Sequence, residues 1–527
     1  MNSDQLTLAV AMRRARTVFS NREVVSRIDG AVVVHTYAQI FERADRLAWA
    51  LRELGVGPGD RIGTLAWNHH RHLELYLAVT MSGAVLHTIN VRLAPQQAVD
   101  IARHAGDKVI FVDSDLFDLE TTLRAQMPDL AALVRLAPGD DVPPTDPVIN
   151  YENLIAAQCS GTFSYPPLTE DMPAATSYSS ATTGTPKGVV YTHRALLLHS
   201  MMSGLADTWA IGEADTILPV VPMFHVNAWG LPFTAMWMGS RLVLPGARPT
   251  AGDLLTLLAD HNVTFSAAVP TVWMDILRLV ARTGRVLPHL RLVVSGGAPL
   301  PRTLLEEADR LNVPMIHSYG MTEAAPLVLV GKLRTDAPDH EPDRLGLRLR
   351  QGYVVPGLDY RVIDAAGADI EWDGCTSGEL LLRGPWVAEG YERDERSANA
   401  FADGWYRTGD IVTIDAGGYI HVVDRAADLI KSGGEWISSI ELEDALMDHP
   451  AVQAAAVIGV PDERWTERPR AYLVLERRVQ DDELREHLAA RFPRFWLPDD
   501  YIELEVLPMT AVGKFDKKAL RNQLSAT

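Results

Sequence analysis

Over its first two hundred residues the chain alternates stretches of helical hydrophobic period with short runs of β-branched residues. That alternation restricts its fold more than any other feature, because it is the pattern of an α/β protein. Across 36–55, Ile40, Ala44, Leu47, Leu51 and Leu54 recur at helical spacing, Thr36 and Gln39 fit a capping box, and Gly55 fits a C-terminal stop. Residues 61–66 and 108–113 are short β-branched runs that each follow a helix-like pattern, as buried strands of a largely parallel sheet would. Pro and Asp crowd 138–147, so a loop is expected there. No internal repeat or low-complexity tract interrupts the chain.

Further on, 291–295 reads as a strand, Gly296 and Gly297 as a tight turn and 301–311 as a helix, a layout that points ligands to the carboxyl end of the strand. A similar edge follows at 315–319. Near Asp424 the character changes: Asp424, Arg425, Asp428 and Lys431 form a mixed-charge cluster leading into Gly433 and Gly434. Beyond it Ser438 and Glu441 can cap a helix, 454–458 and 471–475 read as strands, and 483–491 reads as a helix. A domain boundary is expected there, dividing the chain into 1–424 and 425–527, and the second part is of a size that can fold alone.

At 527 residues a single core is not expected, and 47% hydrophobic residues give ample material to bury. The 49 Lys and Arg against 68 Asp and Glu leave a formal net charge of −19, which argues against nucleic acid or an anionic membrane as bulk partner. An anionic ligand must then be held by local amides and a few cations. Cys159 and Cys375 cannot make a disulfide framework, and a reducing cytoplasm is the natural compartment. No run reaches the roughly 18 consecutive apolar residues of a membrane span, and Arg13, Arg14 and Arg16 break up 1–20, so a protein that is neither inserted nor exported is expected.

Ser179-Ser180-Ala181-Thr182-Thr183-Gly184-Thr185-Pro186-Lys187-Gly188 gathers hydroxyls, small residues and one lysine. Such a turn can aim backbone N–H groups and hydroxyls at phosphate oxygens while Lys187 adds charge, though without Walker spacing it reads equally well alone as a polar surface loop. It does not stand alone. With His317-Ser318-Tyr319-Gly320-Met321-Thr322-Glu323, Trp405-Tyr406-Arg407-Thr408-Gly409-Asp410 and Pro508-Met509-Thr510-Ala511-Val512-Gly513-Lys514, it resembles the adenylate-forming superfamily of acyl-CoA synthetases, amino-acid adenylation domains and luciferases. The motifs fall in that family's order. Val221-Pro222-Met223-Phe224-His225-Val226-Asn227-Ala228-Trp229 and Lys431-Ser432-Gly433-Gly434-Glu435-Trp436-Ile437-Ser438 look like its medium- and long-chain fatty acyl-CoA ligases.

The resemblance implies an α/β multidomain fold, a large N-terminal domain of layered α/β sheets with a small mobile α+β C-terminal domain. It also implies a two-step reaction with ATP, Mg²⁺ and coenzyme A: a carboxylate attacks the α-phosphorus to give acyl-AMP and pyrophosphate, and a thiol then displaces AMP. Lys514 matches the lysine that stabilises charge building on the α-phosphate, and Glu323 the carboxylate that holds Mg²⁺. Tyr319 would offer its ring to adenine, Thr322 a hydroxyl to a phosphate and Asp410 its carboxylate to the ribose. Ser179, Ser180, Ala181, Thr182, Thr183, Gly184 and Lys187 would cradle phosphates, with Gly297, Ala298, Ser318, Gly320 and Met321 completing the ATP and AMP site. Asp424 matches the hinge, Arg425 an arginine that contacts the nucleotide, and Lys431, Gly433, Gly434, Glu435 and Trp436 the face of a thiol channel presented after the small domain swings. His225, Trp229, Gly296, Gly320 and Met321 would line the acyl pocket. His225 and Trp229 also read as ordinary core residues. A homodimer is expected only at family level.

Two positions depart from the family pattern. His225 stands where amino-acid adenylation domains carry a carboxylate for the substrate ammonium, so a free α-amino acid is not expected. Ala181 stands where the phosphate loop normally carries glycine. If φ there is negative the methyl is harmless; if it is positive, alanine costs on the order of 1–2 kcal/mol. The leading expectation is an AMP-forming ligase of a hydrophobic acid. Beside it stand a half-enzyme that converts only ready-made acyl-AMP and CoA, an acyl-AMP ligase that loads a carrier protein, and a catalytically silent binding protein.

Overall fold

The computed structural model describes residues 5–28, 30–139, 148–179, 186–433, 435–510 and 515–524. Most of the expected 138–147 loop, the phosphate-loop residues Ser180, Ala181, Thr182, Thr183 and Gly184, and Gly434 and Lys514 lie outside the described residues.

Two large sheets build the N-terminal part. One has seven strands, with Ile149–Asn150, Ala132–Leu136, Asp107–Asp113, Arg61–Leu65, Val85–Thr88 and Pro173–Tyr178 running parallel and Gly188–Thr192 closing the edge antiparallel. The other has nine strands. Its parallel centre is Glu23–Ile28, Arg241–Leu244, Thr216–Pro219, Phe265–Ala268, Leu292–Gly296 and Met315–Gly320. Most residues of these strands are buried, as in the central strands of a sheet covered on both faces. The helix Tyr37–Glu53 forms where its periodicity and cap place it: Thr36 Oγ1 accepts from the Gln39 N–H at 3.3 Å, and Gln39 Oε1 accepts from the Thr36 N–H at 2.8 Å. Its Ile40, Ala44, Leu47 and Leu51 enter the main core.

A third, antiparallel sheet contains Asp359–Ile363, Ser377–Arg383, Trp405–Ile414 and Ile420–Arg425. From Ile430 the chain builds a separate five-stranded sheet with its own apolar clusters, among them Ile430, Ile437, Leu442, Leu446, Val457 and Leu473. Here the sequence reading is corrected in extent. The short runs at 454–458 and 471–475 lie within one long hairpin, Val452–Asp462 paired with Thr466–Leu475, whose turn end carries Asp462, Thr466, Glu467 and Arg468. The helix expected at 483–491 spans Asp481–Ala489. Ser438 caps the helix Ser439–Met447 by accepting from the Glu441 N–H at 3.1 Å.

Candidate active site

The 221–229 and 317–323 motifs lie at the carboxyl ends of the parallel strands Thr216–Pro219 and Met315–Gly320, as the strand-turn-helix layout requires. Met315–Gly320 delivers Tyr319, then Met321 and the short 3₁₀ turn Thr322–Ala324. The Tyr319 hydroxyl donates to Asp410 Oδ2, and Arg425 Nε lies 3.3 Å from Asp410 Oδ1. Asp410 and Arg425 sit opposite each other on the antiparallel strands Trp405–Ile414 and Ile420–Arg425. Burial first, then the Asp410 carboxylate, pushes the Tyr319 phenol far above its ordinary pKa, so it remains a donor. Asp410 raises the pKa of Arg425 in turn. Ser318 is turned away from this cluster: its buried hydroxyl accepts from the Trp209 indole N–H at 3.3 Å, so only its backbone faces a nucleotide site.

Glu323 is buried, and its Oε1 accepts from the Tyr391 hydroxyl at 2.8 Å. Lys187 Nζ lies 4.4 Å from the centre of the Tyr391 ring, in cation–π range. Burial lowers the Lys187 pKa, opposed by the Glu323 carboxylate. The segment around Tyr391 also joins the two motifs through backbone: the Ala388 N–H donates to Glu323 O at 2.7 Å and the Glu392 N–H to Gly188 O at 2.8 Å. Tyr391 is thus a member of the site that motif reading missed. Thr322 is held from the other side, its carbonyl accepting from the Tyr191 hydroxyl at 2.7 Å. Among the described residues no group of three or more His, Cys, Asp or Glu could hold a metal ion by itself. One hard carboxylate, Glu323, near a lysine suits Mg²⁺, which is commonly held by one or two carboxylates plus a substrate's phosphates.

The acyl side centres on Val226–Trp229. Val226, Asn227, Ala228 and Trp229 have φ of 44°, 51°, 50° and 56°, followed by Gly230 at 73°. Five successive left-handed residues form a turn that for L-residues costs roughly 1–2 kcal/mol each, so the surroundings must impose it. The buried Trp229 indole lies against Gly296, where a Cβ would sit 3.1 Å from the ring and 2.6 Å from Ser318 O; no larger residue fits there. Ala298 O accepts from His317 Nε2 at 3.2 Å, so this turn is fastened to the strand that carries Tyr319. His225 is half-buried at the start of the left-handed turn.

Asp424 has its backbone in the third sheet, opposite Ile411, while its side chain bonds to the C-terminal part. Its Oδ2 accepts from the Ser439 N–H at 2.7 Å and from the Ser439 hydroxyl. Ser439 Oγ accepts from Lys517 Nζ at 2.6 Å, and Lys517 pairs with Glu443 at 2.7 Å. Burial alone would lower the Lys517 pKa, but Glu443, Asp424 and Asp428 raise it. The hairpin Ile430–Ser432 and Glu435–Ile437 presents Lys431 with its Nζ 5.5 Å from the Trp436 ring centre. Gly433 donates its N–H to Trp465 O at 2.8 Å; Trp436 and Trp465 are 54% and 40% exposed, a solvated aromatic face.

The described contacts thus form three clusters: Tyr319, Asp410 and Arg425; Glu323, Tyr391 and Lys187; and Trp229 against Gly296. Residues 12–392 match the family model of the AMP-binding enzyme and 441–514 that of the AMP-binding enzyme C-terminal domain. The chain is 42% identical to a long-chain-fatty-acid–CoA ligase of Thermus thermophilus, over 99% of its own length and 96% of that protein's. It is 38% identical to a medium-chain-fatty-acid–CoA ligase of Ectopseudomonas oleovorans, over 99% and 97%. The crystal structure of an anthranilate CoA ligase in complex with anthranoyl-AMP superposes with a TM-score of 0.88 at 26% identity, over 99% of this chain and 98% of that one. The chain belongs to the AMP-binding enzyme family. It is an AMP-forming acyl-CoA ligase.

Proposed function

We propose that this ligase activates a hydrophobic carboxylic acid of medium or long chain, with Mg²⁺ accompanying ATP, and that it divides at 424/425 into the two bodies whose swing separates the half-reactions. The observation that carries the substrate reading is the buried Trp229 indole against Gly296, read as the wall of an acyl recess that Met321 and the half-buried His225 would complete, with no carboxylate at position 225 to pair an ammonium. Such a wall suits an apolar acyl group. The relatives named above, one long-chain and one medium-chain, support the same class.

In the first step Asp410 exchanges its bonds to Tyr319 and Arg425 for ribose hydroxyls. Lys187 faces the phosphates, Glu323 with Thr322 holds the ion they bring, and Lys514 reaches the developing charge on the α-phosphate. Mg²⁺ supplies charge neutralisation on the phosphates when bound. In the second step Lys431, Gly433, Gly434, Glu435 and Trp436 border the thiol's path. Trp465, with the Arg464 guanidinium 4.7 Å from its ring centre, offers a stacking surface and a cation of the kind that an adenine and its phosphates use. Two exposed free thiols, Cys159 and Cys375, fit a cytoplasmic location. A homodimer is a family-level expectation that sedimentation of the purified chain tests. The substrate reading is tested by following thioester formation across fatty, aryl and amino acids. Apolar acids turning over and α-amino acids failing support it; preference for an amino acid overturns it.

A further inference from the structure

The left-handed turn at 226–230 raises the question of what holds it, and the answer lies in another sheet. Asn68, in the loop after Arg61–Leu65, is buried and spends its whole side chain on the backbone leading into the turn. Its Nδ2 donates to Pro219 O and to Val221 O, both at 2.9 Å, and its Oδ1 accepts from the Met223 N–H at 2.7 Å. Tyr76, on the helix His70–Met81, donates its hydroxyl to Met223 O at 2.5 Å and accepts from Asn227 Nδ2 at 3.4 Å. Met223 is therefore gripped by both its N–H and its carbonyl, two residues before His225, and the grip extends into the turn at Asn227. On the far side Gly230 closes against His199, whose Nδ1 would be 2.7 Å from a Cβ at that position.

No motif claims Asn68 or Tyr76. Backbone held in sparsely populated conformations persists only where its surroundings over-determine it, and such places are commonly functional. We propose that Asn68 and Tyr76 are positioning residues of the acyl site: they fix the left-handed turn that seats Trp229 on Gly296, and so set which acyl groups the recess accepts. This rests on the reading of Trp229 and Gly296 as the recess wall.

Tyr76→Phe tests it, because the ring and its packing on Phe233, 5.3 Å between centres, remain while the bond to Met223 is lost. kcat/KM is measured for a graded series of straight-chain acids, with the KM for ATP read in the same assay. The expected result is unequal losses, changing the ratio between the best and poorest acid by about fivefold or more while the KM for ATP stays put. Asn68→Ala, which removes three bonds, shifts the ratio further in the same direction. A loss by the same factor for every acid, or an unchanged profile in Tyr76→Phe, overturns the proposal and leaves these residues merely structural. A wild-type enzyme that activates no acid of the series but turns over another class would remove the substrate reading instead, and this inference with it.

Discussion

Asp410 and Arg425 face each other across two antiparallel strands, 3.3 Å apart at Oδ1 and Nε, with the Tyr319 hydroxyl on the other carboxylate oxygen. Arg425 directly follows Asp424 at the end of the strand Ile420–Arg425, so the cluster lies where the third sheet meets the Ser439 helix that Asp424 bonds. Asp410→Asn keeps the shape and removes the charge that binds Arg425. Loss of one charge-assisted bond corresponds to a rise of about 10–100-fold in the KM for ATP, read from pyrophosphate release. Tyr319→Phe frees Oδ2 without removing the carboxylate, and its effect on the KM for ATP is expected to stay under about threefold.

Tyr391 touches both the Glu323 carboxylate and, through its ring, Lys187. Without the hydroxyl, Glu323 loses the bond that fixes its orientation. Tyr391→Phe is expected to raise the Mg²⁺ concentration giving half-maximal adenylation by about 3–10-fold. The KM for CoA in the same variant should not move, and a shift there instead would contradict the role assigned to Tyr391.

Trp465 packs on Gly433 and is exposed on its other side. If it stacks on the thiol substrate, Trp465→Ala raises the KM for CoA by about 5–50-fold, the value of a lost aromatic stack. Pyrophosphate release without CoA should be unaffected. Equal loss in both assays would place Trp465 in folding rather than in binding.

The two bodies should respond to pH in opposite senses. Burial lowers His72 and His199, in the large part, to about 3, so the stability they contribute is full above 6.5 and is lost progressively as pH falls from 6.5 to about 3. Glu443, in the small part, is raised by burial to about 7, against the Lys517 ammonium; its contribution is full below 4.5 and is lost as pH rises through about 7. Hydrogen exchange resolved by segment, followed from pH 8 down to 5, should show the N-terminal core loosening while the helix Ser439–Met447 tightens. Both regions moving together would contradict these assignments.

What the sequence made legible was local or contiguous. The Tyr37–Glu53 helix carries its own cap and stripe, and the motif residues 317–323 and 405–410 announce themselves as strings. Asn68 and Tyr76 do not, because their partners lie about 150 residues away and any polar residue in a loop or helix looks the same alone. The left-handed turn was hidden for the same reason: Val226-Asn227-Ala228-Trp229 has no glycine, and only the distant grip overrides its preference. The Ser439–Lys517–Glu443 chain was illegible because its three members sit on two helices that only tertiary packing brings together. The hairpin of Val452–Asp462 and Thr466–Leu475 outran its apolar runs because its polar turn end is held by backbone pairing, which leaves no hydrophobic signature.

The most direct test of a complete two-step ligase uses two assays in parallel on the wild-type chain and on Ala181→Gly. One supplies acid, ATP and Mg²⁺ and follows pyrophosphate; the other supplies synthetic acyl-AMP and CoA and follows the thioester. A complete ligase is active in both, and glycine at 181 changes its pyrophosphate release by less than about threefold. Thioester formation without pyrophosphate in the wild type, with pyrophosphate release recovered in Ala181→Gly, would contradict it and leave this chain with only the second half of the reaction.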